Sequence, residues 1–211
     1  LASLVNSLKQ QEIYLIAQLS CCTDELMVTR CPSAALTLPG GIPYKDEDGS
    51  WLDPYNSMTA DYLTELCTEL ADMGFDELLL KNLARPQTDA TLAYTVQLSS
   101  GPNPVSAVCS LAIDLISQLE SRDVLVSAIL DTTSLRSGLS AQSGQDLSVF
   151  AKLFDRLCCS ADTVWRATVD RDSVDYWMYE GDLSLRFVPI FPFADSGNFS
   201  CWIYKVPEGM L

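Results

Sequence analysis

The sequence predicts an α/β fold with parallel strands joined by helical crossovers, and three observations predict it. Apolar runs of strand length recur at "EIYLIAQLSCC", "FDELLLK" and "VLVSAILD". Amphipathic stretches separate them, "TADYLTELCTELADMG" before the second run and "VSAVCSLAIDLISQLES" before the third. The runs carry apolar residues on both alternating faces, as strands covered on both sides require.

Taken in order, "LASLVNSLKQQ" reads as an amphipathic helix with Leu1, Leu4, Val5 and Leu8 on one face. The first strand ends near Thr23 and Asp24. A long irregular segment follows, "RCPSAALTLPGGIPYKDEDGSWLDPYNS", holding a Gly-Gly pair, the Asp48-Gly49 turn signal, Pro43 and Pro54. Loops of that length inside a domain usually serve binding. Asn56, Ser57 and Thr59 offer N-caps to the next helix, whose Leu63, Leu66, Cys67, Leu70 and Ala71 form an inward stripe before Gly74 ends it. Phe75 to Lys81 is the second strand. Val105, Val108, Leu111, Ala112, Leu115, Ile116 and Leu119 then recur at helical spacing and lead into the third. "GQDLSVFAKLFDRLCC" reads as helix throughout, with Leu147, Phe150, Ala151, Phe154 and Leu157 inward. Three more strands are expected at "DTVWRATVD", "LRFVPIFPF" and "FSCWIYKV", with a short helix around residues 174–179.

No Gly-rich phosphate loop follows the first strand, which argues against a dinucleotide site, and no cofactor is expected. A complete (β/α)8 TIM barrel takes about 250 residues. Six strands in 211 residues fit a single domain spanning 1–211, a partial barrel lacking its first two strands. A start within a helix suggests a segment of a longer parent chain, with other domains as partners.

Composition narrows the function. The chain carries 13 basic and 28 acidic residues, a net charge of −15, so its field repels phosphate backbones and nucleic acid is not an expected partner. No apolar run approaches the roughly 20 residues of a membrane span, and no signal-like segment opens the chain, so no membrane insertion is expected of it. The histidine count is 0, which removes Ser-His-Asp and Cys-His chemistry along with the commonest metal ligand. The cysteines, Cys21, Cys22, Cys31, Cys67, Cys109, Cys158, Cys159 and Cys201, lack C-x-x-C spacing and fall where small apolar residues belong. They read as reduced core thiols rather than metal ligands.

Three blocks carry a family resemblance: "SLKQQEIYLIAQLSCCTDELMVTRCPSAAL", "DGSWLDPYNSMTADYLTELCTELADMGFDELLLKNLARP" and "LVSAILDTTSLRSGLSAQSGQDLSVFAKLFDRLCCSAD". Together, over roughly residues 5 to 165, they resemble a bacterial family of glycosyl-hydrolase-like domains of unknown function, related to the alpha-amylase-like TIM barrels. "WLDPYN", "GFDE" and "GQDL" are the most specific pieces. The resemblance implies that the chain begins just before the third barrel strand. It also implies an exported or envelope-anchored protein, whereas eight thiols without a disulfide framework lean toward a reducing setting. Compartment stays open between the two.

The departures from the family pattern bear on chemistry. By the resemblance, Gln18 stands for an arginine, Cys22 for a phenylalanine and Thr23 for a lysine, while Asp24 is retained. Lys81 stands for an aspartate, Asn82 for a tyrosine, Ala84 for an arginine and Ile129 for another aspartate. Glycoside hydrolysis ordinarily needs two carboxylates about 5 to 9.5 Å apart at the C-terminal strand ends. Lysine cannot act as a carboxylate nucleophile, and isoleucine transfers no proton.

The leading expectation is therefore a catalytically degenerate domain with a carbohydrate-binding or structural role. An active glycosidase using Asp24 with Asp131 or Asp170, and a protein-binding module, are the alternatives. Candidate ligand contacts are Lys81, Asn82, Trp51 and Trp177, with Trp165, Tyr176, Tyr179 and Trp202 nearby in the same aromatic set and Asp195 at a further strand end. Lys81 is expected to snorkel to solvent or pair with Asp131. Asp76 and Glu77, at the start of their strand, read as structural, and Asp53 in "WLDPYN" as a turn residue.

Overall fold

The computed structural model describes residues 1–95, 103–160, 186–191 and 203–206. Six strands form one curled parallel sheet: β1 (Ile16–Ser20), β2 (Glu77–Lys81), β3 (Leu125–Leu130), β4 (Arg156–Ser160), β5 (Phe187–Phe191) and β6 (Ile203–Tyr204). They lie side by side in chain order, and every neighbouring pair is parallel. This is a mixed α/β half-barrel, the partial TIM barrel that the alternation of strands and helices predicts.

The helices are α1 (Ala2–Lys9), α2 (Glu25–Arg30), α3 (Ser57–Asp72), α4 (Pro104–Leu119), α5 (Thr132–Ser137) and α6 (Leu147–Leu153). Local chemistry starts most of them. Asn56 Oδ1 accepts from Met58 N–H to open α3, and Asn103 does the same for α4 through Ser106 N–H, with Pro104 in the first turn. Gly74 follows α3 with φ +96°, the left-handed turn expected there.

The register separates two layers. Ala17, Leu19, Leu78, Leu80, Val126, Ala128 and Leu157 face the helices and pack with Leu63, Cys67, Val108, Leu111, Ala112, Leu115 and Phe150 in the main core. The opposite face lines the barrel interior, where Leu79, Cys158, Val188 and Ile190 form a second apolar cluster against Ile129 and Ile203. Below that cluster, at the N-terminal end of the strands, Glu77 is 2% exposed. Its carboxylate accepts from the Arg156 guanidinium, from Ser127 Oγ and from the Tyr14 hydroxyl. Asp76 pairs with Lys9 and accepts Leu15 N–H, so both acids hold the floor of the barrel together.

Several expectations need correction. "GQDLSVFAKLFDRLCC" is not one helix: α6 stops where Phe154 turns extended (φ −97°, ψ 142°), and Arg156–Ser160 is the fourth strand. Leu157, Cys158 and Cys159 are all buried there, one against the helices and the next in the barrel, and an apolar run of that length fits either element until its neighbours are known. The expected strand "DTVWRATVD" lies outside the described residues. In α1 the predicted stripe is mostly uncovered: Val5 is buried, but Leu1 and Leu4 are exposed. The long irregular segment contains a 3-10 turn (Pro32–Ala34) and two small hairpins, Thr37–Leu38 with Ile42–Pro43 and Lys45–Asp46 with Gly49–Ser50.

Candidate ligand-binding cavity at the strand mouths

A cavity of about 590 Å³ opens at the C-terminal ends of β2, β3 and β4. Strand ends supply Lys81, Ile129, Asp131 and Ser160, and the hairpin after α2 supplies Tyr44, Asp46, Glu47, Asp48 and Trp51. Parallel strands leave their C-terminal edge to loops, so a (β/α) sheet builds its sites there.

Of the two outcomes expected for the lysine at the end of β2, it reaches solvent, its side chain 43% exposed, and does not pair with Asp131. Its ammonium reaches Asp48 Oδ1 on the hairpin at 3.1 Å. The reason lies in the long segment between α2 and α3: its hairpin folds over the strand mouth and brings an acidic tip within reach, which spacing along the chain does not reveal. Asn82 adopts φ +54° and donates through Nδ2 to Thr23 Oγ1 at 2.9 Å, fastening the ends of β1 and β2. Asn tolerates this left-handed backbone because its short side chain bonds locally.

Asp131 caps α5. Oδ1 accepts Ser134 N–H at 2.7 Å, and Oδ2 accepts the hydroxyls of Ser134, at 3.0 Å, and Ser143. Gln145 locks the same corner: its Oε1 takes Asp131 N–H at 2.9 Å and its Nε2 donates to Ile129 O at 3.1 Å. Ser143 and Gln145 are almost fully buried, so the carboxylate has a fixed position rather than a swinging one.

Asp24, the retained acid, does not line this cavity. It caps α2 through Met27 N–H at 2.8 Å and accepts the Tyr62 hydroxyl at 2.7 Å. Burial pushes the Tyr62 phenol up to about 12, with the Asp24 hydrogen bond adding to it, so Tyr62 remains a donor to this carboxylate at neutral pH. Trp51 lines the cavity and is 4% exposed. Asp170, Asp195, Trp165, Trp177, Tyr176, Tyr179 and Trp202 lie outside the described residues.

Sequence reasoning missed Arg85, Ser143, Gln145 and the acidic hairpin residues Asp46 and Glu47, all of which line the cavity. The "KDEDG" turn signal marked the hairpin but gave no hint of its direction. Asp53 is fully buried and binds Tyr55 N–H and both the N–H and hydroxyl of Thr95, so it organises the loop that backs the hairpin. Nearby, burial raises the Cys22 thiol to about 12, leaving it an inert neighbour. Among the described residues no helix is long and apolar enough to cross a membrane.

A parallel half-barrel with its cavity at the strand C-termini is the arrangement of a TIM-barrel domain. The chain belongs to the family described as "Putative glycosyl hydrolase domain", whose model matches residues 1–161. Solved structures share the fold. A hypothetical protein from Ruminiclostridium thermocellum matches at 23% identity and TM-score 0.52, over 60% of this chain and 64% of that one. Aspergillus fumigatus Ega3, solved with galactosamine, matches at 10% identity and TM-score 0.60, over 90% of this chain and 65% of that one. The glycoside hydrolase domain of PelA from Pseudomonas aeruginosa matches at 15% identity and TM-score 0.54, over 90% and 72%. The chain thus spans less than two thirds of the first two structures. A comparison with curated proteins finds no match.

Proposed function

We propose that this chain is a carbohydrate-binding domain of glycosyl-hydrolase-like fold that does not hydrolyse glycosides, with residues 1–211 acting as one partial-barrel unit. The observation that carries the reading is the makeup of the cavity at the strand ends. Among the described residues, β2 contributes Lys81 and β3 contributes Ile129, so Asp131 is the one carboxylate delivered there from a strand end. Its oxygens are taken up by Ser134 and Ser143. The general acid and the nucleophile or base of glycoside hydrolysis must face each other across the bond to be cut. Asp24, committed to the cap of α2 and to Tyr62, is poorly placed to be the second member.

What supports sugar as the ligand is the mixture of partners in the cavity: the Trp51 and Tyr44 rings beside amide, hydroxyl and charged groups from Asn82, Ser143, Gln145 and Arg85. Sugars offer C–H faces and many hydroxyls, and such linings match both.

The test is reducing-sugar release from a panel of polysaccharides, run beside binding measurements on the same panel, with the natural protein and its Lys81→Asp variant. Binding without release by the natural protein is expected. Release by the natural protein overturns the reading and moves catalysis to Asp24 with Asp131 or Asp170. Release by the variant alone marks Lys81 as the substituted catalytic position.

A further inference from the structure

We propose that Cys31, Met58 and Ser33 form a surface site for a soft monovalent metal ion, copper(I), independent of the carbohydrate reading above. The cysteines read from sequence as core thiols, and Cys31 departs from that. It is only partly buried, while Cys21, Cys22, Cys67, Cys109, Cys158 and Cys159 are enclosed. Nor does it stand alone. Its thiol points to the thioether of Met58, with Sγ and Sδ 3.9 Å apart. Ser33 Oγ completes a triangle, 3.3 Å from Cys31 Sγ and 3.7 Å from Met58 Sδ.

An ion fits that triangle. Metal–sulfur bonds are about 2.3 Å long, and two of them meeting at about 115° hold their sulfurs as far apart as these two are. The point equidistant from the three donor atoms lies about 2.1 Å from each, so an ion rests just above their plane as the side chains stand.

The frame holds the donors in place. Asn56 alone fastens two of them: Nδ2 donates to Ser33 O at 2.7 Å, and Oδ1 accepts Met58 N–H at 2.9 Å. Cys31 N–H in turn donates to Met27 O at 2.8 Å, at the end of α2. The two sulfurs thus meet from positions 27 residues apart in the chain. Met58 is 43% exposed, so an ion reaches them from solvent.

Donor type selects the metal. Thiolate and thioether sulfurs favour copper(I), whereas carboxylates and carbonyls suit magnesium or calcium. Of the three donors only Cys31 becomes anionic, which matches a single positive charge. Binding turns the thiol into a thiolate–copper bond and releases its proton to solvent. Among the described residues no three His, Cys, Asp or Glu side chains converge on one point, so they offer zinc no competing site.

The experiment titrates the full chain with copper(I), kept reduced by ascorbate, against the colorimetric chelator bicinchoninate, and adds X-ray absorption at the copper edge. One ion is expected at Cys31, with two sulfur neighbours at about 2.3 Å. Cys31→Ser is expected to lose one equivalent. Met58→Leu, which keeps the apolar volume, is expected to weaken binding at least about tenfold, the loss of a second tethered donor, with circular dichroism unchanged. Full stoichiometry in Cys31→Ser overturns the site. Unchanged affinity in Met58→Leu, or a single sulfur neighbour, reduces it to a lone thiol and overturns the proposal, and equal affinity for zinc overturns the metal. Sugar binding by Cys31→Ser is expected to match that of the natural protein, since none of the three residues lines the cavity at the strand mouths.

Discussion

The Lys81 ammonium and Asp48 Oδ1 lie 3.1 Å apart, tying the end of β2 to the tip of the hairpin that roofs the cavity. Both side chains are about two-fifths exposed, at 43% and 41%. A pair so solvated contributes little: Lys81→Met or Asp48→Asn is expected to change unfolding free energy by less than about 1 kcal/mol. A double-mutant cycle by urea denaturation measures it, and a coupling above about 2 kcal/mol would mean the hairpin shields the pair from water.

The floor of the barrel should behave differently. Glu77 is enclosed, and three donors converge on its carboxylate. Glu77→Ala removes the buried acceptor shared by Ser127, Tyr14 and Arg156 and is expected to cost about 3 kcal/mol, the lower end for a buried pair because the Arg156 side chain is 30% exposed. Equilibrium unfolding of the variant gives the number, and a loss below about 1 kcal/mol would contradict the burial argument.

Gly144 has φ +83°, and a Cβ built on it would lie 2.5 Å from the carbonyl oxygen of Pro104 at the start of α4. Gly144→Ala combines left-handed strain with a backbone clash, so a loss of at least about 2 kcal/mol is expected. Because Ser143 and Gln145 flank it, the variant should also loosen Asp131. Thermal melts and ligand titration on the same variant separate the two effects.

Thiol reactivity tests the packing between sheet and helices. Burial pushes the Cys67 thiol up to about 12 and Cys21 well above its ordinary value, so the reactive thiolate is scarce near neutral pH. Cys31 is only partly buried. In native protein treated with iodoacetamide, Cys31 should label at least about tenfold faster than Cys21, Cys22 or Cys67, by mass spectrometry. Equal rates would show that the core opens.

Asp76 gives a pH signature. Its hydrogen bond from Lys9, joined by that from Leu15 N–H and outweighing partial burial, holds its pKa below the ordinary carboxylate range. A lowered folded value means that the stabilisation is fully present above the unfolded value of about 3.9 and is lost as pH falls through the folded one. Asp76→Asn should therefore flatten the fall of stability as pH drops below the unfolded value of about 3.9, followed by circular dichroism. An unchanged acid limb would place the loss on other carboxylates.

Much of the fold was legible because its signals are local. The stripe of Leu63 and Cys67, the caps at Asn56 and Asn103 and the break at Gly74 each follow from residues within a turn or two. The boundary between α6 and β4 was not, since Leu157, Cys158 and Cys159 are apolar enough for either element and only their neighbours in β3 and β5 make them a strand. At the site, Trp51, Lys81, Asn82 and Asp131 were singled out from sequence and are brought to one cavity, while Asp24 is placed on a helix cap. Ser143 carries no distinguishing signal, because a serine between elements reads as surface until its burial is seen, and Gln145 stood within "GQDL" with no role assigned to it.

By itself, then, the sequence determined the alternation of strands and helices, the absence of histidine chemistry and the acidic balance of 28 against 13. These depend on residue type and short spacing alone. The pairing of Lys81 with Asp48, 33 residues earlier, and the cage of neutral donors around Asp131 were decided only in the tertiary structure. Both depend on where a long loop folds across a strand mouth, and that direction is set by contacts among residues far apart in the chain.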